Sequence, residues 1–358
     1  MTRSPWPASL AAREAAMTSA CGEADGALAR VAAQLVDERV RGLGAPDPDR
    51  VVSLLRARGE PHVRPRIVSV TGHGALNDDA VRAQLEKAKH EGSRCGVAFA
   101  RPASEEATAK GELLIAVVVD ALADLAPLPT RARTGEWLTF SAALRVPTAN
   151  AKLVVLGPRG LPRTVPTSLD PTTKTARARF ALDRPGAFTV QLVADLSGGP
   201  RPLLEARVFA DVTPAPEVDS VPVPGEDVPE ESDDAATLAK MIAALRREES
   251  LASLHRDERL DALARAHAER MKAARAVAHD LGDGDLALRF EAAGLAAGVV
   301  GENVARARSL ALAHRALHAS PSHRMNLLHA DYRHMGIGVV RDDAGEVFVC
   351  EVFSGALR

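Results

Sequence analysis

Hydrophobic positions near the start of the chain first recur with a helical period and then give way to continuous apolar runs. Apolar residues stand three and four apart in ALARVAAQLVDERV, in DRVVSLLRARG and in DDAVRAQLEKAKHEG, which is the spacing of amphipathic helices. Two short runs rich in β-branched residues follow, SRCGVAFA and GELLIAVVVDAL, and these are typical of buried strands. We therefore predict an α+β domain over residues 24–125, preceded by an N-terminal tail of residues 1–23.

The pattern changes to alternation in the middle of the chain. Apolar and polar residues alternate at 139–144 and again at 188–193, and Pro, Gly and Asp interrupt the short runs at nearly regular intervals. Several such runs are typical of a β-sandwich. We predict an immunoglobulin-like β-sandwich over residues 127–212. Because it holds no cluster of titratable residues, we expect it to act as a spacer or to make protein or cell-envelope contacts.

A polar segment separates this region from the last part of the chain. Residues 213–234 contain five prolines and eight acids with no basic residue, so they cannot bury a core and we predict a solvated linker. An acidic binding tail is the alternative. Helical spacing returns after it, and two strand-like runs, HMGIGVV and GEVFVCEVF, end the predicted C-terminal domain of residues 235–358. The expected fold class is α+β and multidomain.

Composition excludes several classes of function. A net charge of −2 and dispersed basic residues offer no surface for nucleic acid. No apolar stretch approaches the length that spans a bilayer. Cys21, Cys95 and Cys350 are too few and too scattered for a disulfide framework, and we expect the last two to be small buried hydrophobic residues.

The concentrated chemistry lies near the C-terminus. His279 stands in AHD, Glu302 in VGENVA and His323 in ASPSHRMNLL. Imidazole and carboxylate groups are the usual ligands of zinc and also the usual acid–base groups, so a fold that joins them would build a site. Each residue also has a simpler interpretation. Ser320 and Pro321 predict a helix start whose free amides His323 could serve, and Glu302 precedes a helical run whose dipole favours an acid.

The order and spacing of motifs in this third of the chain match a known family. The stretch from about Leu238 to Phe353 resembles a bacterial CAP domain, the superfamily of cysteine-rich secretory proteins, antigen 5 and pathogenesis-related-1 proteins. The resemblance implies a three-layer α-β-α sandwich with a cleft in which histidines and acids can bind a divalent cation. The matching residues are Leu251, Leu254, Asp257, Leu260, ALARAHAERM, His279, Arg289, Gly294, GENVA, SPSHRMNLL, Tyr332, HMGIGVV and GEVFVCEVF.

By this resemblance His279, Glu302 and His323 would hold zinc or another divalent cation, supported by Asn303, Ser320 and Arg324. The sequence departs from the family at several places. Ala243 replaces the usual asparagine three residues before Arg246, Ser322 replaces a glycine, and Leu317 falls near the place of an expected tryptophan. The run ARSLALAHRALHA offers His314 and His318 but no second acid.

Three functions follow as alternatives. The first is an extracytoplasmic module that binds a small ligand, lipid, peptide or metal in the cleft without turnover. The second is a zinc-assisted, peptidase-like hydrolase in which Glu302 is the general base; no nucleophile elbow or P-loop accompanies it. The third is a structural surface or adhesion protein. The incomplete ligand set favours the first.

Two expectations concern the other end of the chain. The order of helices followed by paired strands in residues 24–125 mirrors the C-terminal domain, so we predict a divergent, inactive CAP-like copy. An unrelated α+β domain is the alternative. The family resemblance implies an extracellular or cell-envelope location, although the first residues contain no apolar region of a signal peptide.

Overall fold

The computed structural model describes residues 6–44, 48–100, 111–196, 199–214 and 222–357. The fold is mixed α+β and multidomain, as predicted. The chain divides into two compact units. Unit 1 contains Met1–Pro147, Ser168–Arg184 and Leu203–Asp219, and unit 2 contains Thr148–Thr167, Pro185–Pro202 and Ser220–Arg358. The first part of the predicted linker, residues 215–221, lies outside the described residues.

Unit 1 begins with an α+β domain. Its elements are α1 (Trp6–Cys21), β1 (Glu23–Ala24), α2 (Gly26–Val40), α3 (Pro48–Ala57), β2 (Arg66–Thr71), α4 (Asp78–Ala88), β3 (Ser93–Ala100) and β4 (Leu113–Asp120). The sheet order is β1-β3-β4-β2, with β1 parallel to β3 and the other pairs antiparallel. The predicted helices and strand pair are confirmed.

Helices cover both faces of this sheet, which explains why its strands are apolar without alternation. All eight residues of β4 are buried. Its odd positions, such as Ile115 and Val117, pack with α2 and α3, whereas Leu114 and Val118 pack with α1 and α4. Gly96 of β3 lets the backbone of α2 come so close that any Cβ would collide with it. The domain therefore has three layers.

The residues predicted as a tail include α1, whose Met17 is buried in the core. Cys21, the last residue of α1, forms a disulfide with Cys95 of β3. The expectation for Cys95 was wrong, because 74 residues separate the partners and only tertiary packing joins them. Cys350 is free and buried, as expected.

The middle of the chain is a series of strands shared between the units. They are β5 (Ala123–Leu125), β6 (Arg131–Ala132), β7 (Trp137–Leu144), β8 (Ala151–Leu156), β9 (Arg163–Val165), β10 (Thr167–Asp170), β11 (Thr175–Ala181), β12 (Gly186–Leu196) and β13 (Gly199–Ala210). In unit 1, β7 is antiparallel to β5 and β11. In unit 2, β8 is antiparallel to β9 and β12. The immunoglobulin-like sandwich stays a prediction.

The C-terminal domain belongs to unit 2. It contains α5 (Asp234–Glu248), β14 (His255–Arg256), α6 (Glu258–Ala274), α7 (Leu286–Ala292), β15 (Val300–Ala307), α8 (Leu310–Ala319), α9 (Pro321–Leu327), β16 (His334–Arg341) and β17 (Val347–Ser354). The sheet order is β14-β16-β17-β15, again with the first pair parallel and the others antiparallel.

This sheet also carries helices on both faces. Val347, Val349 and Phe353 of β17 pack with α5, α8 and α9, while Phe348 and Cys350 pack with α6 and α7. Glycines at positions 336 and 338 of β16 let α6 lie directly on the strand, since a Cβ at either would collide with the helix backbone. None of the helices in the described part of the chain has the length and apolar character needed to cross a bilayer.

The second part of the predicted linker contacts the C-terminal domain. The carbonyl of Pro224 accepts a hydrogen bond from Nε2 of His314 (2.9 Å). Glu226 forms an ion pair with Arg315, and Val228 packs on the core. Residues 224–228 are therefore held by specific partners, which the composition of the segment does not reveal.

Candidate functional site

One cavity of unit 2, with a volume of about 380 Å³, brings the predicted site residues together. His279, Glu302 and His323 all line it, and so do Ser322 and Asn326. His279 lies in the loop between α6 and α7, Glu302 on β15 and His323 on α9. The predicted helix start at Glu302 was wrong, because VGENVARA forms a strand.

A short chain of polar contacts orients His279. Its Nδ1 lies 2.8 Å from Oε1 of Glu302, and Nη2 of Arg289 donates to Oε2 of Glu302 (2.7 Å). The Glu302 side chain is only 3% exposed. Burial acts to raise the pKa of Glu302, but the hydrogen bond from His279 and the charges of Arg289 and His279 outweigh it and lower that pKa. The carboxylate therefore remains ionised and fixes the imidazole.

A second histidine holds the loop that carries His279. The ring of His267 is fully buried, with Nδ1 2.9 Å from Asp283 and Nε2 2.8 Å from the carbonyl of Ala278. Arg289 also donates to the carbonyl of His279 (3.0 Å). The buried ring of His267 therefore positions the loop. About two helical turns and a short loop separate it from AHD, which was the available sequence signal.

His323 is fixed at the start of α9. Its Nδ1 lies 2.8 Å from Oγ of Ser320, which makes no N-cap hydrogen bond to the helix. The predicted helix start at Ser320 and Pro321 is confirmed, but the Ser320 hydroxyl is turned to the imidazole and does not cap the helix. Asn303 donates from Nδ2 to the carbonyl of His323 (3.2 Å), and Asn326 donates to the carbonyl of Glu302 (3.0 Å). The two asparagines join the GEN and SPSHR motifs.

The predicted supporting residues differ in what they support. Asn303 also donates to Oε2 of Glu351 (2.9 Å), a fully buried acid in VFVCEVF that the sequence analysis missed. Burial raises the pKa of Glu351 to about 7, although the hydrogen bond from Asn303 acts to lower it. Arg324 instead pairs with Glu249 (3.0 Å) and anchors α9 from outside the cavity. An acid within an apolar strand was the sequence signal for Glu351.

The strands of the middle region supply a wall of the same cavity. Val154 of β8 and Val193 of β12 line it, with Lys152 nearby. Gln191 of β12 is buried, and its Oε1 accepts a hydrogen bond from the backbone N–H of Ser322 (3.1 Å). The sequence gave no indication of this wall, since a strand some 130 residues away contributes it.

Three further histidines of the CAP domain have structural roles. His314 is buried on α8 against Pro224, and burial lowers its pKa. Burial also lowers the pKa of His318 to about 3. Both rings are therefore neutral and packed. His334 begins β16, and its Nδ1 lies 3.0 Å from the carbonyl of Gly355.

The fit of a divalent cation in the cavity depends on Glu302. Both of its oxygens already have partners, so binding an ion would require Glu302 to give up His279 or Arg289. Among the described residues, ligand atoms of three His, Cys, Asp or Glu side chains all lie within 4.8 Å of one another only at Asp25, Glu60 and His62. The three-ligand zinc site of His279, Glu302 and His323 stays a prediction, and we derive no step through a metal there.

A family model described as the cysteine-rich secretory protein family, CAP, matches residues 239–352. The C-terminal third of the chain is a CAP domain. The predicted family is thereby confirmed, and the cavity lies against the GEN and SPSHR motifs of this domain. A search of the curated proteins found no match.

Several solved structures are similar to the chain. An outer surface protein of Borrelia burgdorferi is 22% identical over 35% of this chain and 93% of its own, with a TM-score of 0.33. An extracellular protein of Bacillus anthracis that contains an SCP domain is 16% identical, covering 64% and 89%, with a TM-score of 0.32. A cysteine-rich secretory protein of Staphylococcus aureus is 14% identical, covering 65% and 86%, with a TM-score of 0.31.

Proposed function

We propose that the CAP domain binds a small amphipathic ligand in the cavity of His279 and His323, without turnover and outside the cytoplasm. The observation that carries the proposal is that both histidines and Glu302 line one cavity of about 380 Å³. Cavities of this size with a few convergent polar groups are typical small-molecule sites. The hydrogen bonds around His279 prearrange the site, which reduces the entropy lost on binding.

The lining indicates the chemistry of the ligand. Val154, Val193 and Met325 form an apolar side, whereas Lys152 adds a positive charge near the two imidazoles. We infer a ligand with an apolar body and a polar or acidic head group, such as a fatty acid or a short hydrophobic peptide.

Two buried or partly buried groups are available for the head group. The ring of His279 uses Nδ1 for Glu302, and no described residue bonds to its Nε2. The hydroxyl of Ser322 is buried and has no hydrogen-bond partner among the described residues. Buried polar groups in proteins are nearly always paired, so a ligand or water that reaches these two atoms would complete their hydrogen bonding.

The hydrolase alternative receives less support. A general base works best with a pKa near the working pH, and the pKa of Glu302 is below its usual value. Its ion pair with Arg289 also weakens it as a base. Turnover by Glu302 therefore agrees less well with the geometry than binding does.

The Cys21–Cys95 disulfide supports the proposed location. Disulfides persist in oxidising compartments and are rare in the cytosol. The Bacillus anthracis protein is described as extracellular. Fractionation of the native cell, followed by immunodetection in medium, envelope and cytoplasm, tests this part; recovery in the cytoplasm with reduced cysteines would contradict it.

The binding proposal can be tested with a thermal-shift screen of fatty acids and short hydrophobic peptides, with and without Zn²⁺. We compare wild type, the His279→Ala/His323→Ala double variant, and His255→Ala, which removes an exposed histidine of the same domain. Stabilisation by a ligand in wild type and His255→Ala, lost in the double variant, is the expected result. Equal responses in all three proteins would overturn the proposal. Release of peptide fragments by wild type alone would favour the hydrolase.

A further inference from the structure

A second group of titratable residues lies in the N-terminal domain, outside the CAP domain. One carboxylate oxygen each of Asp25 and Glu60 and one ring nitrogen of His62 all lie within 4.8 Å of one another. Asp25 precedes α2, and the other two residues lie in the segment between α3 and β2. All three belong to unit 1.

The backbone holds these residues in place. Oδ1 of Asp25 caps α2 by accepting hydrogen bonds from the N–H groups of Ala27 (2.8 Å) and Leu28 (3.1 Å). The carbonyl of Pro61, between Glu60 and His62, accepts a hydrogen bond from the N–H of Glu205 (2.7 Å). The group is therefore built from anchored segments.

In the described part of the chain, the two acids of the group have no direct cationic partner. Neither Asp25 nor Glu60 forms an ion pair with an Arg or Lys among the described residues. Two nearby carboxylates repel each other unless a proton or a cation lies between them.

His62 gives an independent indication of a missing partner. Its side chain is only 2% exposed, and its Nδ1 is buried without a hydrogen-bond partner among the described residues. Its Nε2 lies 3.9 Å from Oε2 of Glu60, which is too far for a hydrogen bond. An imidazole with an unpaired buried nitrogen, set beside two carboxylates that lack a cationic partner, is an arrangement that a bound cation can complete.

We propose that Asp25, Glu60 and His62 bind a divalent transition-metal ion, and that Zn²⁺ is the ion they fit best. Zn²⁺ takes three or four nitrogen and oxygen ligands, including imidazole, at about 2.0–2.2 Å. Ca²⁺ needs six to eight oxygens, which this group does not supply.

Binding requires a small contraction of the group. Ligands around one Zn²⁺ stand about 3.4 Å apart, which follows from tetrahedral bonds of about 2.1 Å. The Glu60 side chain is 19% exposed and follows Gly59, which has a positive φ of 73°. Rotation of this side chain brings its carboxylate toward His62 without moving α2 or the buried ring.

The surroundings leave room for a further ligand. Glu60 and His62 line a cavity of unit 1 with a volume of about 720 Å³. Three protein ligands leave the fourth position of Zn²⁺ open, as in catalytic zinc sites. Arg94 lines the same cavity and is held away from direct contact with the ligand set by its ion pair with Asp124 at 2.6 Å.

The proposed site is not a relic of the CAP cleft. The equivalent segments of the CAP domain are the start of α6, where Asp257 is the N-cap, and residues 293–299 between α7 and β15. Residues 293–299 read AGLAAGV and contain no histidine or acid. The proposed metal site is therefore independent of the proposed ligand site at His279.

Zinc titration of the full chain against a chromophoric chelator tests the proposal. Asp25→Asn keeps an N-cap residue and Glu60→Gln keeps the side-chain shape, so each variant removes a charge with little change in fold. Glu91→Gln, an exposed acid of the same domain, is the matched control. His279→Ala/His323→Ala separates this site from the CAP cavity.

We expect wild type, Glu91→Gln and His279→Ala/His323→Ala to bind one zinc ion at this site with equal affinity. Asp25→Asn and Glu60→Gln should each bind that ion at least about tenfold more weakly. Circular dichroism checks that both variants are folded. If only one of them folds, its zinc affinity alone is enough for the test. Unchanged zinc affinity in a folded variant would overturn the proposal. Loss of that zinc only in the His279→Ala/His323→Ala protein would overturn it as well.

Discussion

In the N-terminal domain and in the CAP domain alike, a two-residue strand lies parallel to the first strand of an antiparallel hairpin, and an earlier strand pairs with the other side of that hairpin. The side chains at equivalent register positions differ. Glu302 faces the sixth residue of β17, and Arg66 faces the sixth residue of β4. Asn303 and Glu351 face each other in the CAP domain, where Ile67 and Val117 do so in the N-terminal domain.

The residues that specify the sheet are shared by the two domains, whereas the residues that build the site are not. Apolar runs buried on both faces, and glycines that admit a helix, occur in both domains. The polar residues that build the CAP cavity have no counterpart, and only the four residues 89–92 separate α4 from β3, so no equivalent of α9 exists. The shared strand order supports the proposal that the N-terminal domain is a divergent CAP-like copy.

The largest expected effect comes from Glu302→Ala. It leaves Arg289 buried without its partner, and breaking a buried pair in this way costs about 3–5 kcal/mol. The corresponding change, Asp120→Ala, breaks a pair with Arg66, whose side chain is 27% exposed and can be hydrated, so it should cost less, about 1–2 kcal/mol. Hydrogen exchange of amides in β17 and β4 measures the two domains separately. If the two variants lowered the exchange protection of β17 and β4 by similar amounts, the proposed difference between the two ion pairs would be contradicted.

Removal of the Cys21–Cys95 disulfide should destabilise the N-terminal domain by about 2–4 kcal/mol, because the bond closes a long loop in the unfolded chain. The CAP domain contains only the free Cys350. A Cys21→Ser/Cys95→Ser variant should therefore lose exchange protection in β4 but keep it in β17. Loss of protection in β17 alone would be the contrary outcome.

A pH effect should distinguish the two sheets at Glu351 and Val117. Because burial raises the folded-state pKa of Glu351 from 4.5 to about 7, its stabilising contribution is full below pH 4.5 and is lost as the pH rises toward 7. The loss is at most about 3.5 kcal/mol, because each pH unit between 4.5 and 7 contributes about 1.4 kcal/mol. His318, with its pKa lowered to about 3, acts in the opposite direction, because its contribution to the stability of the fold is lost as the pH falls below 6.5.

The difference between wild type and Glu351→Gln isolates this carboxyl group. Glu351→Gln should be the more stable protein at pH 8 and should lose that advantage at pH 4.5. Amides of β17 report it, while β4 should show no such difference because Val117 does not titrate. A constant difference between the two proteins across this range would show that Glu351 does not carry the effect.

The smallest expected effect is at Gln191. Its Oε1 accepts a hydrogen bond from the N–H of Ser322 and its Nε2 donates to Oγ of Ser320 (3.4 Å), so Gln191→Ala should cost about 1–2 kcal/mol. The change should also weaken ligand binding, because α9 then loses an anchor beside His323. Thermal denaturation with and without ligand gives both values. Unaltered binding would show that this wall does not position the site.

The sequence allowed the CAP domain and the meeting of His279, Glu302 and His323 at one cavity to be predicted, because each stands in a motif with a characteristic order. Local patterns failed where tertiary packing decides. Glu302 lies in a strand although VGENVARA precedes a helical run, and Cys95 pairs with a cysteine 74 residues away. Gln191 and Glu351 are polar residues within apolar strands, and no local rule says which partner they meet.

Equilibrium binding of a fluorescent fatty acid to the full chain tests the central claim most directly. We predict saturable binding by wild type and by His255→Ala, and binding at least about tenfold weaker, which is about 1.4 kcal/mol, by His279→Ala/His323→Ala. Displacement of the probe by a short hydrophobic peptide would extend the ligand class. The account would be contradicted if all three proteins bound the probe with equal affinity. It would also be contradicted if wild type showed no saturable binding of either the fatty acid or the peptide.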